Sequence, residues 1–235
     1  MSIYHLHIPR TSGIYIRDNI HPHLKANGIP TFASNRTVFD KEIVKKSKFV
    51  SGHFATSPID LLDNPDIFCV VRNPVDRFIS YFRYTAIVLV EKKRMEEKLD
   101  NWLYGEHSLI QDNMQSKFLT GKINLKKFNE NVKNFNKKVD NGWFVEGYSL
   151  NINDIKKSID SMYCYTIDQH NNFKEDMNKS LIKNFNFSTF KHSDKTNESI
   201  DIGINFTKSQ INKIQELNSI DCEVYEYVRS LKKRY

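Results

Sequence analysis

The chain has little cysteine, no long apolar run and none of the glycine-rich nucleotide signatures. Its three cysteines, Cys69, Cys164 and Cys222, are spread over 235 residues. An odd and sparse set argues against a disulfide framework, and the spacing fits no metal motif. Cys69 sits inside the apolar run 67–71 and reads as a buried core thiol. No apolar stretch is long enough to span a bilayer, and no basic-then-apolar leader opens the chain. The expectation is a soluble, cytoplasmic protein. The pattern G-x-x-x-x-G-K-[ST] is absent, as is G-x-G-x-x-G. No carboxylate cluster suggests a magnesium site, so no metal is expected. No internal repeat or low-complexity linker marks a boundary, and 1–235 reads as a single domain.

What is present suits a packed globular fold. Hydrophobic residues make up 39% and aromatic residues 12%, with 16 Phe and 11 Tyr to build a core, while 27% of residues are charged. The net charge of +7 points to an anionic ligand or partner. Nucleic acid, a phosphorylated cofactor, an anionic glycan and a membrane surface all satisfy that condition. No nucleic-acid-binding module or basic-aromatic cluster is present, so nucleic acid is not the expected partner.

The most informative stretch is His5-Leu6-His7-Ile8-Pro9-Arg10-Thr11-Ser12-Gly13. Ile3, Leu6 and Ile8 interleave with Tyr4, His5 and His7, a pattern suited to a buried or half-buried strand. Pro9 ends the ladder because it has no N–H to give. Ser12 can cap a helix over 14–25, and Gly13 tolerates a tight turn. A strand that enters a helix through small residues forms an anion site, because unpaired N–H groups and the positive helix end face the ligand. Arg10 adds a full charge there. His7 is expected near the site and His5 in a structural role.

Further along, 27–30 reads as a helix stop, 31–40 as loop or weak strand, and 41–46 as a short helix. Residues 49–54 read as a strand ending in a glycine turn, and 57–65 as loop or one helical turn. The continuous apolar run 67–71 is the pattern of a central parallel strand buried on both faces. Arg72 stands at its C-terminal end, where open α/β sheets hold ligands. Asn73 caps and Pro74 opens the next helix. Ser80, about two turns on, can face the same crevice, whereas Arg77 could equally be structural. Helices are expected over 87–103, 109–119, 125–139, 151–162, 172–184, 207–217 and 221–232. A strand is expected at 163–167, a strand or helix-end contact at 143–145, and a loop at 187–206. Strands alternating with helices imply an α/β fold with a mostly parallel, helix-covered sheet.

His7-Ile8-Pro9-Arg10-Thr11-Ser12-Gly13 resembles the H-I-P-K-T-G-G loop of the carbohydrate sulfotransferases, the branch that includes the uronyl 2-O-sulfotransferases. Val71-Arg72-Asn73-Pro74-Val75-Asp76-Arg77-Phe78-Ile79-Ser80-Tyr81 resembles that family's R-[DN]-P-x-x-R-x-x-S segment. Ser51-Gly52-His53-Phe54 is similar to its catalytic G-H segment, and 112–121 to its N-x-Q-[ST]-x-x-L-x-G helix. Lys195-Thr196-Asn197-Glu198 is similar to a late loop that closes over the cofactor, and 221–225 to the D-x-x-x-Y helix.

The resemblance implies a P-loop-like parallel sheet flanked by helices and a cofactor, PAPS (3′-phosphoadenosine 5′-phosphosulfate), that leaves as PAP. It implies that Arg10, Thr11, Ser12, Gly13, Ile14 and Tyr15 hold the 5′-phosphosulfate, and that Arg72 and Ser80 hold the 3′-phosphate. Lys195, Thr196 and Asn197 would close the site. His53 would be the general base, Arg10 would assist the leaving group, and the acceptor would be a hydroxyl, favouring a sugar.

Arg10 stands where the motif has Lys, Ser12 where it has Gly, and Ile14 and Tyr15 where it has hydroxyl residues. The backbone N–H groups survive these changes. Two other readings stay open at this stage: a PAP-binding homologue without turnover, and a small-molecule or nucleoside kinase of related fold.

Overall fold

The computed structural model describes residues 2–34, 37–89, 95–105, 108–123, 125, 149–169 and 205–231. The helix expected over 125–139, apart from residue 125, the helix expected over 172–184, the 143–145 segment and nearly all of the 187–206 loop lie outside the described residues. So do Lys195, Thr196 and Asn197.

Five strands form one sheet: β1 (Ile3–Leu6), β2 (Thr31–Ser34), β3 (Phe49–Gly52), β4 (Asp66–Val71) and β5 (Tyr163–Thr166). The order is β2-β3-β1-β4-β5 and every pairing is parallel. β1 is therefore the central strand. Its neighbours on both sides explain why β1 and most of β4 are buried on both faces, with His5 the polar exception on β1.

The side-chain period of two sorts the sheet into two surfaces. Ile3, Phe49, Phe68, Val70 and Tyr165 form one cluster with Ile16, Ile20 and Leu24 of helix α1 (Gly13–Ala26). Tyr4, Leu6, Val50, Cys69, Val71 and Cys164 face the larger cluster on the other side. That side is covered by α2 (Lys41–Lys46), α3 (Pro74–Leu89), α4 (Met95–Tyr104), α6 (Met114–Thr120), α7 (Ile152–Asp160), α8 (Lys208–Leu217) and α9 (Ser219–Ser230). A short α5 spans Ser108–Gln111, and a single 3-10 turn at Ile59–Leu61 occupies the 57–65 stretch. Among the described residues, no helix is long and apolar enough to cross a membrane. Cys69 and Cys164, register partners on β4 and β5, meet with their sulfurs 2.7 Å apart as buried free thiols.

α3 is fixed by aromatic packing. Phe78 and Phe82 meet Trp102 of α4 edge-on at 5.8 and 5.2 Å. Tyr81 lies against the same indole at 5.6 Å. Burying side chains of this size stabilises by roughly 1.5–3 kcal/mol each. With that stripe held inward, Ser80 and Tyr84, one turn apart, are left on another face of the helix.

Of the helix expected over 87–103, α3 covers the part to Leu89 and α4 the part from Met95, and 90–94 lie outside the described residues. One helix expectation is corrected. The helix expected over 109–119 is two helices, α5 and α6, broken at Asn113. That residue adopts a left-handed conformation (φ 42°), which an asparagine tolerates and a helix does not. Asn113 and the start of α6 are instead tied to Asp221 of α9, a partner more than a hundred residues away.

Candidate active site

The register brings three loops to one edge. Leu6 is level with Gly52 on β3 and Cys69 on β4. The next residues are therefore His7 after the central strand, His53 on one side and Val70 to Arg72 on the other. This is the carboxyl edge of a sheet whose chain order reverses about β1, where ligands of open α/β folds bind.

The turn from β1 into α1 is unusual. Arg10 and Ser12 both have φ 69°. Thr11 is buried, and its hydroxyl donates to the Ile8 carbonyl at 2.9 Å, so its proton serves the turn. Ser12 occupies the N-cap position, but the expected side-chain cap is not made. Its left-handed conformation takes the hydroxyl away from the first-turn N–H groups. Those N–H groups are left without a side-chain partner from the cap, at the positive end of a fourteen-residue helix.

Gly13 is required by sterics: a Cβ there would fall 1.8–2.3 Å from the His7 ring. Gly13→Ala must therefore displace either the ring or the turn. We expect a loss of stability of roughly 1–3 kcal/mol, which a thermal melt checks.

Arg10 reaches across to α3. Its Nε donates to the Ser80 hydroxyl at 3.0 Å, and its guanidinium lies 4.9 Å over the Tyr84 ring. The planar fork makes both contacts at once, which a lysine ammonium cannot reproduce. Tyr84 is missing from the sequence-derived site. Its spacing of one turn from Ser80 was the available signal.

Arg72 is held through its backbone. Its N–H donates to Gln115 Oε1 at 2.9 Å, and its carbonyl accepts from Gln115 Nε2 at 2.9 Å. Asn73 caps α3 as expected, accepting from Val75 N at 3.0 Å. Gln115 is set in turn by Asp221, whose buried carboxylate accepts from Gln115 N (2.9 Å), Ser116 N (2.8 Å) and Ser116 Oγ (2.5 Å). Arg77 lies beneath this cap, fully buried and bonded to Gln111 at 3.3 Å, so its role is structural. Burial lowers the Lys117 ammonium to about 8, opposed by Asp112 and Asp221.

His53 is half-buried, and its Nδ1 lies 2.8 Å from the His7 carbonyl. A carbonyl only accepts, so Nδ1 carries the proton and Nε2 keeps its lone pair. Burial lowers the His53 pKa to about 4. The His7 carbonyl opposes this shift, and the Arg17 charge adds to it. The imidazole is therefore neutral at pH 7.

The structure thus brings Arg10, Thr11, Ser12, Gly13, His53, Arg72 and Ser80 to one edge, with the backbone of Ile14 and Tyr15 in the first turn of α1. Tyr15 packs its ring on the α1-side core cluster. Among the described residues, no group of three or more His, Cys, Asp or Glu could hold a metal ion.

A family model described as the sulfotransferase domain matches residues 13–219. The match spans His53, Arg72, Ser80, Gln115 and most of the helices behind them. No curated protein matches the chain.

Proposed function

The chain belongs to the sulfotransferase-domain family, and from that premise we propose that it moves a sulfuryl group from PAPS to a carbohydrate hydroxyl, with His53 as general base. The reading treats residues 1–235 as one domain. The observation that carries it is the 3.0 Å bond from Arg10 to Ser80. It joins the two anion motifs, far apart in sequence, at the sheet edge that also carries the strand end before His53. A nucleotide with a phosphate at each end of its ribose is the ligand that uses both.

The donor set fits such a ligand. The first turn of α1 presents N–H groups that the Ser12 side chain does not cap. Arg10 supplies charge, and Ser80 and Arg72 stand on the neighbouring loop and helix. Thr11, Ser12 and Gly13, with the backbone of Ile14 and Tyr15, would hold the 5′-phosphosulfate. Arg72 and Ser80 would hold the 3′-phosphate. Lys195, Thr196 and Asn197 belong to the same proposal.

When bound, PAPS supplies an activated sulfuryl group on a phosphate leaving group. His53 Nε2 takes the proton of the acceptor hydroxyl, while Nδ1–H stays on the His7 carbonyl and fixes the ring. Arg10 and the α1 N–H groups offset charge on the departing oxygen.

The test has two parts. Calorimetry should show adenosine 3′,5′-bisphosphate binding at least about tenfold more tightly than adenosine 5′-phosphate, because the Arg72–Ser80 contacts are charge-assisted. Radiolabelled transfer from PAPS to a glycan panel should find an acceptor. His53→Ala should then lower turnover by about a hundredfold with bisphosphate affinity unchanged. Equal affinity for the two nucleotides would overturn the cofactor assignment. Tight bisphosphate binding with no transfer to any acceptor would leave a nucleotide-binding homologue without turnover.

A further inference from the structure

We propose that His7 is a positioning residue that couples the general base to the anion loop, acting as a flat wall rather than as a proton carrier. The proposal rests on the reading of His53 as the base.

His7 holds His53 at two points. Its carbonyl accepts from His53 Nδ1 at 2.8 Å, and its ring lies against the His53 ring with centroids 4.0 Å apart and planes tilted by 36°. A third contact reaches the anion loop, because the ring fills the space where a side chain at residue 13 would begin. A fourth anchors His7 itself, its N–H donating to the Gly52 carbonyl at 3.2 Å. The ring also continues inward, lying 5.4 Å from His5 and within 10° of parallel. His5 is fastened at its far end by the Ser51 hydroxyl at 2.8 Å and by stacking on Phe68 at 4.7 Å.

Three imidazoles thus form a column from the core to the reacting edge, and a displacement of the α1 turn is passed to the base through one ring. The chemistry of His7 indicates what kind of wall it is. The ring is buried, and among the described residues its Nδ1 meets no hydrogen-bond partner. The charged groups acting on it are all cationic when protonated: Arg10 from the loop, Arg17 from α1, and the neighbours His5 and His53. Arg17 also acts on His53. Among the described residues, no carboxylate acts on His7 to support a second cation. The contacts His7 makes with Gly13 and His53 depend on shape, and a benzene ring would make them equally well.

The test compares His7→Ala with His7→Phe, each checked for folding by thermal melt. The first readout is the titration of the His53 imidazole by NMR, which needs no turnover. In His7→Ala, water reaches the exposed face of His53, and its midpoint should move up from about 4 toward the ordinary histidine value. The acid limb of kcat/KM should move with it. The turnover number should fall about tenfold or more, with a smaller change in acceptor KM, because the base is misplaced rather than the acceptor lost.

His7→Phe should restore both the midpoint and turnover. If His7→Ala does not fold, His7→Leu, which keeps bulk without a planar face, should show the same upward shift. A folded His7→Ala with an unchanged midpoint and turnover would overturn the proposal. So would His7→Phe proving as damaging as alanine, since the ring nitrogens would then matter. If His53→Ala keeps full transfer, the base reading fails separately, while the NMR arm still judges the wall.

Discussion

Between pH 7 and pH 5.5 the protein should lose about 4 kcal/mol of stability through three imidazoles, His5 and His7 buried and His53 half-buried. Burial lowers the His53 pKa to about 4 and that of His5 to about 3, and it lowers His7 well below its ordinary value. In the unfolded chain all three titrate near the ordinary value of about 6.5. Below that pH the unfolded state takes up protons that the folded state refuses. A histidine with a depressed folded pKa therefore contributes nothing unfavourable above about pH 6.5, and it destabilises the fold progressively as pH falls toward its folded value. Three such groups together give about 4 kcal/mol per pH unit at the steepest. Burial also raises the carboxyls of Asp66 and Asp221, which acts in the opposite sense.

Against a total stability of roughly 5–15 kcal/mol, the histidine effect brings acid unfolding to mildly acidic pH. Urea midpoints measured at pH 7 and 5.5 check it. His7→Phe, which removes one of the three, should shrink the difference by about a third. A midpoint that does not move between the two pH values would refute the argument.

The second large effect is Asp221→Ala, expected to cost about 3–5 kcal/mol. The carboxylate is buried and accepts from two backbone N–H groups and one hydroxyl at the start of α6. It also faces Arg77 and Lys117, both buried. Its removal leaves two N–H groups without their acceptor and takes a negative charge away from Arg77 and Lys117, of which Lys117 keeps Asp112 at 3.6 Å. For a chain of this size the melting temperature should fall by about 6–20 °C. Nucleotide affinity should fall as well, because Gln115 loses its support and Arg72 loses the clamp on both its N–H and its carbonyl. Asp221→Asn keeps an acceptor oxygen but no charge and should lie between. A thermal melt and calorimetry with adenosine 3′,5′-bisphosphate read both effects. An unchanged melting temperature in Asp221→Ala would refute the capping role.

Local signals in the sequence carried the fold well. The helix expected at 41–46 matches α2, because Asp40 caps it and accepts from Glu42 and Ile43 N–H. The apolar run ending at Val71 and the Asn73-Pro74 start of α3 were equally readable. The misses have conformational or long-range causes. Ser12 has the residue type of an N-cap, yet the turn drives it left-handed, and composition does not encode that.

Asn113 breaks a helix that periodicity would continue, and its partner lies 108 residues on. The motif positions Gln115 and Asp221 were visible as letters, but their work was not. One holds a backbone 43 residues away and the other caps a helix 105 residues away, separations that no sequence window spans. The one-turn spacing of Tyr84 from Ser80 is a weak signal for an exposed aromatic, and it gains meaning only with Arg10 beside it.

The link from Asp221 through Gln115 to Arg72 also sets a timetable for synthesis. Residues 1–120 emerge from the ribosome with the first four strands and α6 already made. The carboxylate that seats α6 is encoded 105 residues after Ser116. At about 5–20 residues per second, the nascent chain waits roughly 5–20 s for that group. Until then, the Arg72 loop is held only by partners other than the Asp221-seated glutamine. A ribosome-stalled chain that ends just before α9 should therefore already pair its strands while still failing to retain the bisphosphate nucleotide.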